Sequence, residues 1–177
     1  MKTRNNKKKN NKTRKLLIRY LPFSLSKKDR EKQIGMLNKS RKLYKKNVYF
    51  TRKQLPSYKS KKSKHIINAG KIYGIEKIAP NKELSEKTGC SVNALERIVN
   101  KGEGAYFSSG SRPNQTAQSW GIARLASAVT GGKSSLIDYS ILETGCKKNS
   151  KALKLANKNK TKWMKQMKRK MPKRNYG

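Results

Sequence analysis

The stretch GEGAYFSSGSRPNQTAQSWGIARLASAVTGGKS, residues 102–134, is the longest part of the chain without a lysine cluster. It joins a loop rich in glycine and serine to an alanine-rich amphipathic run. Gly104 and Gly110 permit positive φ or close backbone approach, and Pro113 stiffens the exit from the turn. A helix is expected to begin near Asn114 or Thr116, both good N-cap residues, with its free N–H groups facing the loop. Ser108, Ser109, Ser111, Arg112, Asn114 and Gln115 then surround a place suited to an anion such as phosphate. The same groups would also serve to cap the helix and to pair with backbone carbonyls in a compact Ω-like loop. The run that follows places Trp120, Leu125 and Val129 inward, has small residues for close packing, and stops at Gly131 and Gly132. The Gly132-Lys133-Ser134 that comes next is no P-loop, because that motif needs glycine where Ser127 stands and follows a strand rather than a helix.

Working outward, GAYFSSGSRPNQTAQSWGIARLASAVTGGKSSLIDYSILETGC and the earlier KSRKLYKKNVYFTRKQLPSYKSKKSKH resemble a domain of unknown function from large double-stranded DNA viruses of algae and amoebae. Related versions occur in tailed phages of marine cyanobacteria. The resemblance covers roughly residues 28–146. It implies a viral origin, and the family has no established reaction from which catalytic residues could be carried over.

The charge map separates a core from its flanks. Residues 74–146 hold eight basic and seven acidic side chains, a net of +1, so +36 of the chain's +37 lies outside them. A balance this extreme resists compaction and calls for a polyanion, with nucleic acid ahead of an anionic membrane. No apolar run is long enough to span a bilayer, and the N-terminus lacks the apolar segment of a secretory signal. Its lysine-rich runs also fit a nuclear-import address. Cys90 and Cys146 with the single His65 cannot complete a four-ligand zinc site, so no metal or cofactor is expected. Free buried thiols are the first expectation for the two cysteines, and a disulfide between them is left open.

Four regions follow from composition: a basic disordered arm over 1–23, a basic helix and linker over 24–73, a near-neutral helical core over 74–146, and a basic tail over 147–177. The apolar patch LLIRYLPF, at 16–23, can tuck against the core. Ser26 followed by Asp29 approximates a capping box, and Ile34, Leu37 and Tyr44 carry a helical stripe over about 27–45. Arg41, Lys42, Lys45 and Lys46 at its end, then Arg52, Lys53, Tyr58, Lys61, Lys62 and Lys64, interleave cations with aromatics as nucleic-acid contacts do. Tyr49 and Phe50 read as packing residues. The segment 65–79 leaves room for one short β element, ended by Pro80.

ELSEKTGCSVNALERIVNKG fits a helix-turn-helix, with Gly89 in the turn and Ser91 capping a second helix that buries Val92, Leu95, Ile98 and Val99. Asn93, Ala94, Glu96 and Arg97 would be its exposed positions, with Arg97 a candidate for nucleic acid. Residues 135–144 read as one last core helix, closed by Gly145. Beyond Cys146, Ala152, Leu153, Ala156, Trp163, Met164 and Met167 form a faint stripe, expected to fray when free.

For chemistry, Glu103 with Tyr106, Ser108 and Arg112 is the one constellation worth entertaining. The expected fold is mainly α, a small helical core flanked by flexible basic arms. The expected function is a non-enzymatic viral protein that binds nucleic acid mostly through its phosphate backbone, with low sequence specificity, and packages or condenses a genome. It would act in the virion, and in the host cytoplasm or nucleus during infection. The alternatives are a nucleotide- or nucleic-acid-modifying enzyme centred on 103–116, and a scaffold bridging acidic capsid proteins.

Overall fold

The structure, a computed structural model, describes Leu16 and residues 18–170; residues 1–15 of the arm expected over 1–23 lie outside them, and at its end Tyr20 and Leu21 are buried against Leu37, as the apolar patch allowed. A 3-10 turn at Ile18–Tyr20 leads into α1 (Lys27–Tyr44), α2 (Lys64–Tyr73), α3 (Lys82–Thr88), α4 (Val92–Ser108), α5 (Ala117–Val129), α6 (Lys133–Ile137), α7 (Tyr139–Gly145) and α8 (Lys151–Lys170). The fold is mainly α, and the described residues contain no strand. Their one β feature is an isolated antiparallel bridge between Cys90 and Cys146. No helix among them is long and apolar enough to cross a membrane.

The anticipated β element at 65–79 is α2. Ile66, Ala69 and Tyr73 recur at helical spacing and turn inward, and Gly74 closes the helix at φ 65°. Left-handed backbone there suits glycine.

The core is built on α4 against α5, where two glycines let the backbones touch. A Cβ on Gly102 would stand 2.6 Å from Gly121 Cα, and one on Gly121 would stand 2.8 Å from the Val99 carbonyl. Around this crossing Leu84, Leu95, Ile98, Leu125 and Leu142 are fully buried. α4 is therefore longer than the sequence suggested. It runs through Gly102 and Gly104, residues read above as loop, because the gain from close packing against α5 exceeds the roughly 1 kcal/mol helical cost of a glycine.

The last core helix is broken in two at Asp138. Its carboxylate is wholly buried, accepts from Arg124 Nε and Nη2 at 2.7 Å each, and pairs with Lys101 Nζ at 2.9 Å. Asp138 thus ties α4 and α5 to the junction of α6 and α7, with its backbone at φ −105° and ψ 18°.

The core also extends beyond Cys146. Ala152, Leu153 and Ala156 of α8 are buried in the main cluster, and Asn159 Nδ2 donates to the Gly132 carbonyl and to Ser135 Oγ at 3.1 Å each. Only the later turns of α8 stand clear, with Trp163, Met164 and Met167 exposed. The stripe expected to fray is therefore, at Ala152, Leu153 and Ala156, the packed face of a helix.

Cys90 and Cys146 form a disulfide rather than the free thiols first expected. Two backbone bonds flank it, Ser91 N–H to the Gly145 carbonyl and Lys147 N–H to the Gly89 carbonyl, both 2.8 Å. Gly89, at φ 73°, and Gly145, where a Cβ would collide with Ala94, allow the two segments to meet.

The glycine crossing can be tested by a matched pair of substitutions. Gly121→Ala should lower unfolding free energy by about 1–3 kcal/mol through overpacking. Gly35→Ala, in a part of α1 where an added Cβ meets nothing within 4 Å, should raise it by about 0.5–1 kcal/mol. Urea denaturation of both variants gives the comparison.

Candidate nucleic-acid interface

The loop after α4 is built by polar groups that the chain itself engages. Gly110 has φ 106°, and a Cβ there would meet Leu37 Cδ2 at 2.7 Å. Ser111 is fully buried; its Oγ accepts from Arg52 Nη2 at 2.8 Å and donates to the Arg112 carbonyl at 2.7 Å. Asn114, at φ 56°, accepts from Leu55 N–H at 2.7 Å and donates to the carbonyls of Leu55 and Tyr58 at 3.0 and 2.7 Å. Thr116 is the N-cap of α5, sharing a reciprocal capping box with Ser119, whose hydroxyl also donates to Gln115 Oε1. Of the six residues grouped as an anion site, Ser111, Asn114 and Gln115 therefore spend side-chain groups on the chain. Ser108 ends α4 half-buried, Ser109 caps it exposed, and Arg112 points to solvent.

Arg52, grouped above with the phosphate contacts, lies inside. Its guanidinium sits 3.6 Å from the centroid of the Tyr106 ring and donates to Ser40 Oγ, the Tyr106 carbonyl and Ser111 Oγ at 3.2, 3.1 and 2.8 Å. Burial pulls its pKa below the ordinary arginine value. The charge is accommodated because oxygens and a ring face meet it, in place of the solvent it has left.

Arg52 is the first of three fastenings along residues 52–58. Leu55 is held by Asn114, and Ser57 by the Asp29 carboxylate, which accepts from Ser57 Oγ at 2.7 Å and from its N–H at 3.1 Å. These two bonds, the hydroxyl first, hold Asp29 below the usual carboxylate range.

The remaining residues grouped with the phosphate contacts lie mostly at the surface. Lys42, Lys45, Lys46, Lys53, Lys61, Lys62, Lys64 and Arg97 are exposed, and Tyr58 is half-buried. Arg41 is half-buried and donates to the Ser109 carbonyl, at 2.6 Å from Nη2. The helix-turn-helix is present as α3, Gly89 and α4, with Ser91 accepting from Ala94 N–H. Asn93, Glu96 and Arg97 are exposed as expected, but Ala94 is 2% exposed, covered by the end of α7 at Gly145.

The structure also shows a cleft that the sequence reading missed. Tyr44, Tyr49, Asn100, Glu103, Gly104 and Phe107 line an open cleft of about 350 Å³. Tyr49, read as packing, is 67% exposed. Its signal was the i, i+3, i+4, i+7 stripe from Asn100 to Phe107, visible only once α4 is carried through the glycines. Glu103 faces this cleft. Tyr106 does not enter it, being fully buried with its hydroxyl accepting from Arg52 N–H at 3.2 Å.

Fold and surface together define a small helical protein with a disulfide-tied core and a heavily cationic exterior. A model of a family of unknown function, DUF5824, matches residues 18–141, and the chain belongs to that family. No curated protein and no solved structure matches it.

Two predictions follow from the fastenings. Arg52→Met should cost about 1–3 kcal/mol, because Ser111 Oγ and the Tyr106 carbonyl lose a buried donor; Arg112→Ala, on the exposed side of the same loop, should stay within about 0.5 kcal/mol. Thermal melts of the two variants separate them. The Asp29 contribution, with a folded pKa depressed below the unfolded one, is fully present above about pH 4 and is lost as pH falls through the lower folded value. Asp29→Asn should therefore flatten the acid limb of stability against pH and leave the alkaline limb unchanged.

Proposed function

We propose that the protein binds nucleic acid chiefly through phosphate contacts and serves a large DNA virus as a virion-associated protein that packages or condenses the genome. The observation that carries this reading is the unneutralised surface. The chain has 46 lysines and arginines against nine acids. Ion pairs to a carboxylate are seen for Lys32, Lys101 and Arg124. Two of the acids, Asp29 and Asp138, are buried and serve the fold, so they screen little of the exterior. Exposed lysines run from the end of α1 through residues 53–64 and along α8, an arrangement suited to releasing counterions from a phosphate backbone. The viral setting rests on the resemblance of residues 28–146 to viral proteins.

Affinity for duplex DNA should fall steeply with salt, each neutralised phosphate adding about 0.9 to the log–log slope. Replacing Lys42, Lys45 and Lys46 together by glutamine should lower that slope by up to about 2.7 while leaving the melting curve in place. A slope near zero in the intact chain would sink the polyanion reading. Locating the protein with the shell rather than the genome core of purified particles would favour the scaffold alternative.

A further inference from the structure

The cleft between α1 and α4 has a chemistry of its own. Asn100, Glu103, Gly104 and Phe107 form one wall on α4; Tyr44 and Tyr49, from the end of α1 and the turn after it, form the other. The Tyr44 and Phe107 rings lie within 6° of parallel with centroids 6.4 Å apart. Tyr49 stands nearly perpendicular to both, at 6.0 and 5.1 Å. Gly104 lies on the floor, where a Cβ would stand 3.4 Å from the Tyr44 hydroxyl. Glu103 is half-buried, and neither its carboxylate nor the Asn100 amide has a hydrogen-bond or ion-pair partner among the described residues. An unpaired, half-buried acid is conspicuous in a chain whose cations outnumber its acids 46 to nine.

We propose that this cleft receives an unpaired guanine base from a single-stranded segment of the bound nucleic acid. The proposal rests on the nucleic-acid reading above and adds a local base preference to an affinity set mainly by phosphates. Aromatic faces stack on any base. Glu103 supplies the discrimination, because an ionised carboxylate only accepts hydrogen bonds. Guanine alone offers it two adjacent donors, N1–H and the N2 amino group. Adenine and cytosine place an acceptor nitrogen beside their amino group, and thymine or uracil flanks its single N–H with carbonyl oxygens. The Asn100 amide can donate to guanine O6.

Three aromatic rings and a carboxylate would also suit an alkylammonium ion. The surroundings oppose it: Lys45 and Lys46, exposed on the segment joining Tyr44 to Tyr49, repel a free cation and attract the phosphates that a base brings with it.

The test uses the full chain and short oligothymidylates carrying a single central guanine, adenine, cytosine or thymine, with affinity read by fluorescence anisotropy at one fixed salt concentration. The guanine oligomer should bind roughly tenfold more tightly than the other three. Glu103→Gln should remove that preference, so that all four oligomers bind alike. Tyr49→Ala, at an exposed ring, should weaken all four about tenfold. Unaltered far-UV circular dichroism in both variants excludes misfolding as the cause. Equal, salt-sensitive affinity for all four oligomers would overturn the cleft assignment and leave the phosphate reading standing, whereas no affinity for any would sink both. A Tyr49-dependent fluorescence change with tetramethylammonium but none with guanosine monophosphate would overturn the base assignment in favour of an alkylammonium ligand.

Discussion

A buried guanidinium with no carboxylate to meet it is the constraint from which much of this structure follows. An arginine taken out of water is costly unless its donors and its flat faces are satisfied. Arg52 meets that condition by drawing in Ser40 from α1, the end of α4 at Tyr106, and Ser111 from the loop beyond. Three segments distant in sequence are thereby fixed to one point. The turn that precedes Arg52 is fixed with them, which sets Tyr49 across the outer face of α4 and gives the cleft its second wall. The geometry proposed to bind a base is therefore a by-product of a structural charge.

The acidic residues divide between two tasks. Asp29 and Asp138 work inside the fold, the first holding Ser57 to α1 and the second tying α4 and α5 to the junction of α6 and α7 through Lys101 and Arg124. The other acids in the described region sit outside and are too few to offset the lysines around them. The result is a packed interior inside a self-repelling cationic exterior, the feature on which the proposed binding of a polyanion rests. Association steered by such a field is fast and salt-sensitive. In the binding mode proposed above, selectivity has to come from a site where water is partly excluded and a polar group is left unmatched, and half-buried Glu103 is placed that way.

Local signals were legible in the sequence wherever they acted alone. The Ser26 cap and apolar stripe placed α1 within one residue of its observed end, the two caps offered for α5 included the one used, Thr116, and Gly89 with Ser91 placed the turn between α3 and α4. What escaped needed tertiary partners. Gly102 and Gly104 read as a loop because their helical cost is visible in the sequence and the crossing with Gly121 that offsets it is not. Asp138 carries no local sign of Arg124 and Lys101. Arg52 looks like every other cation in a basic stretch until Tyr106 is known to lie beneath it. The stripe at Ala152, Leu153 and Ala156 was visible but not the surface it packs on, and the cysteines, 56 positions apart, meet where Gly89 and Gly145 let their segments approach.

The most direct measurement is hydrogen exchange on the full chain, free and bound to a single-stranded oligonucleotide with one guanine. The account predicts new protection in the turn between Tyr44 and Tyr49 and along α4 from Asn100 to Phe107. It predicts none at Ser111 and Asn114, whose side chains are already engaged within the protein. Protection confined to residues 108–116, with the cleft unchanged, would contradict it and return the anion site to the loop.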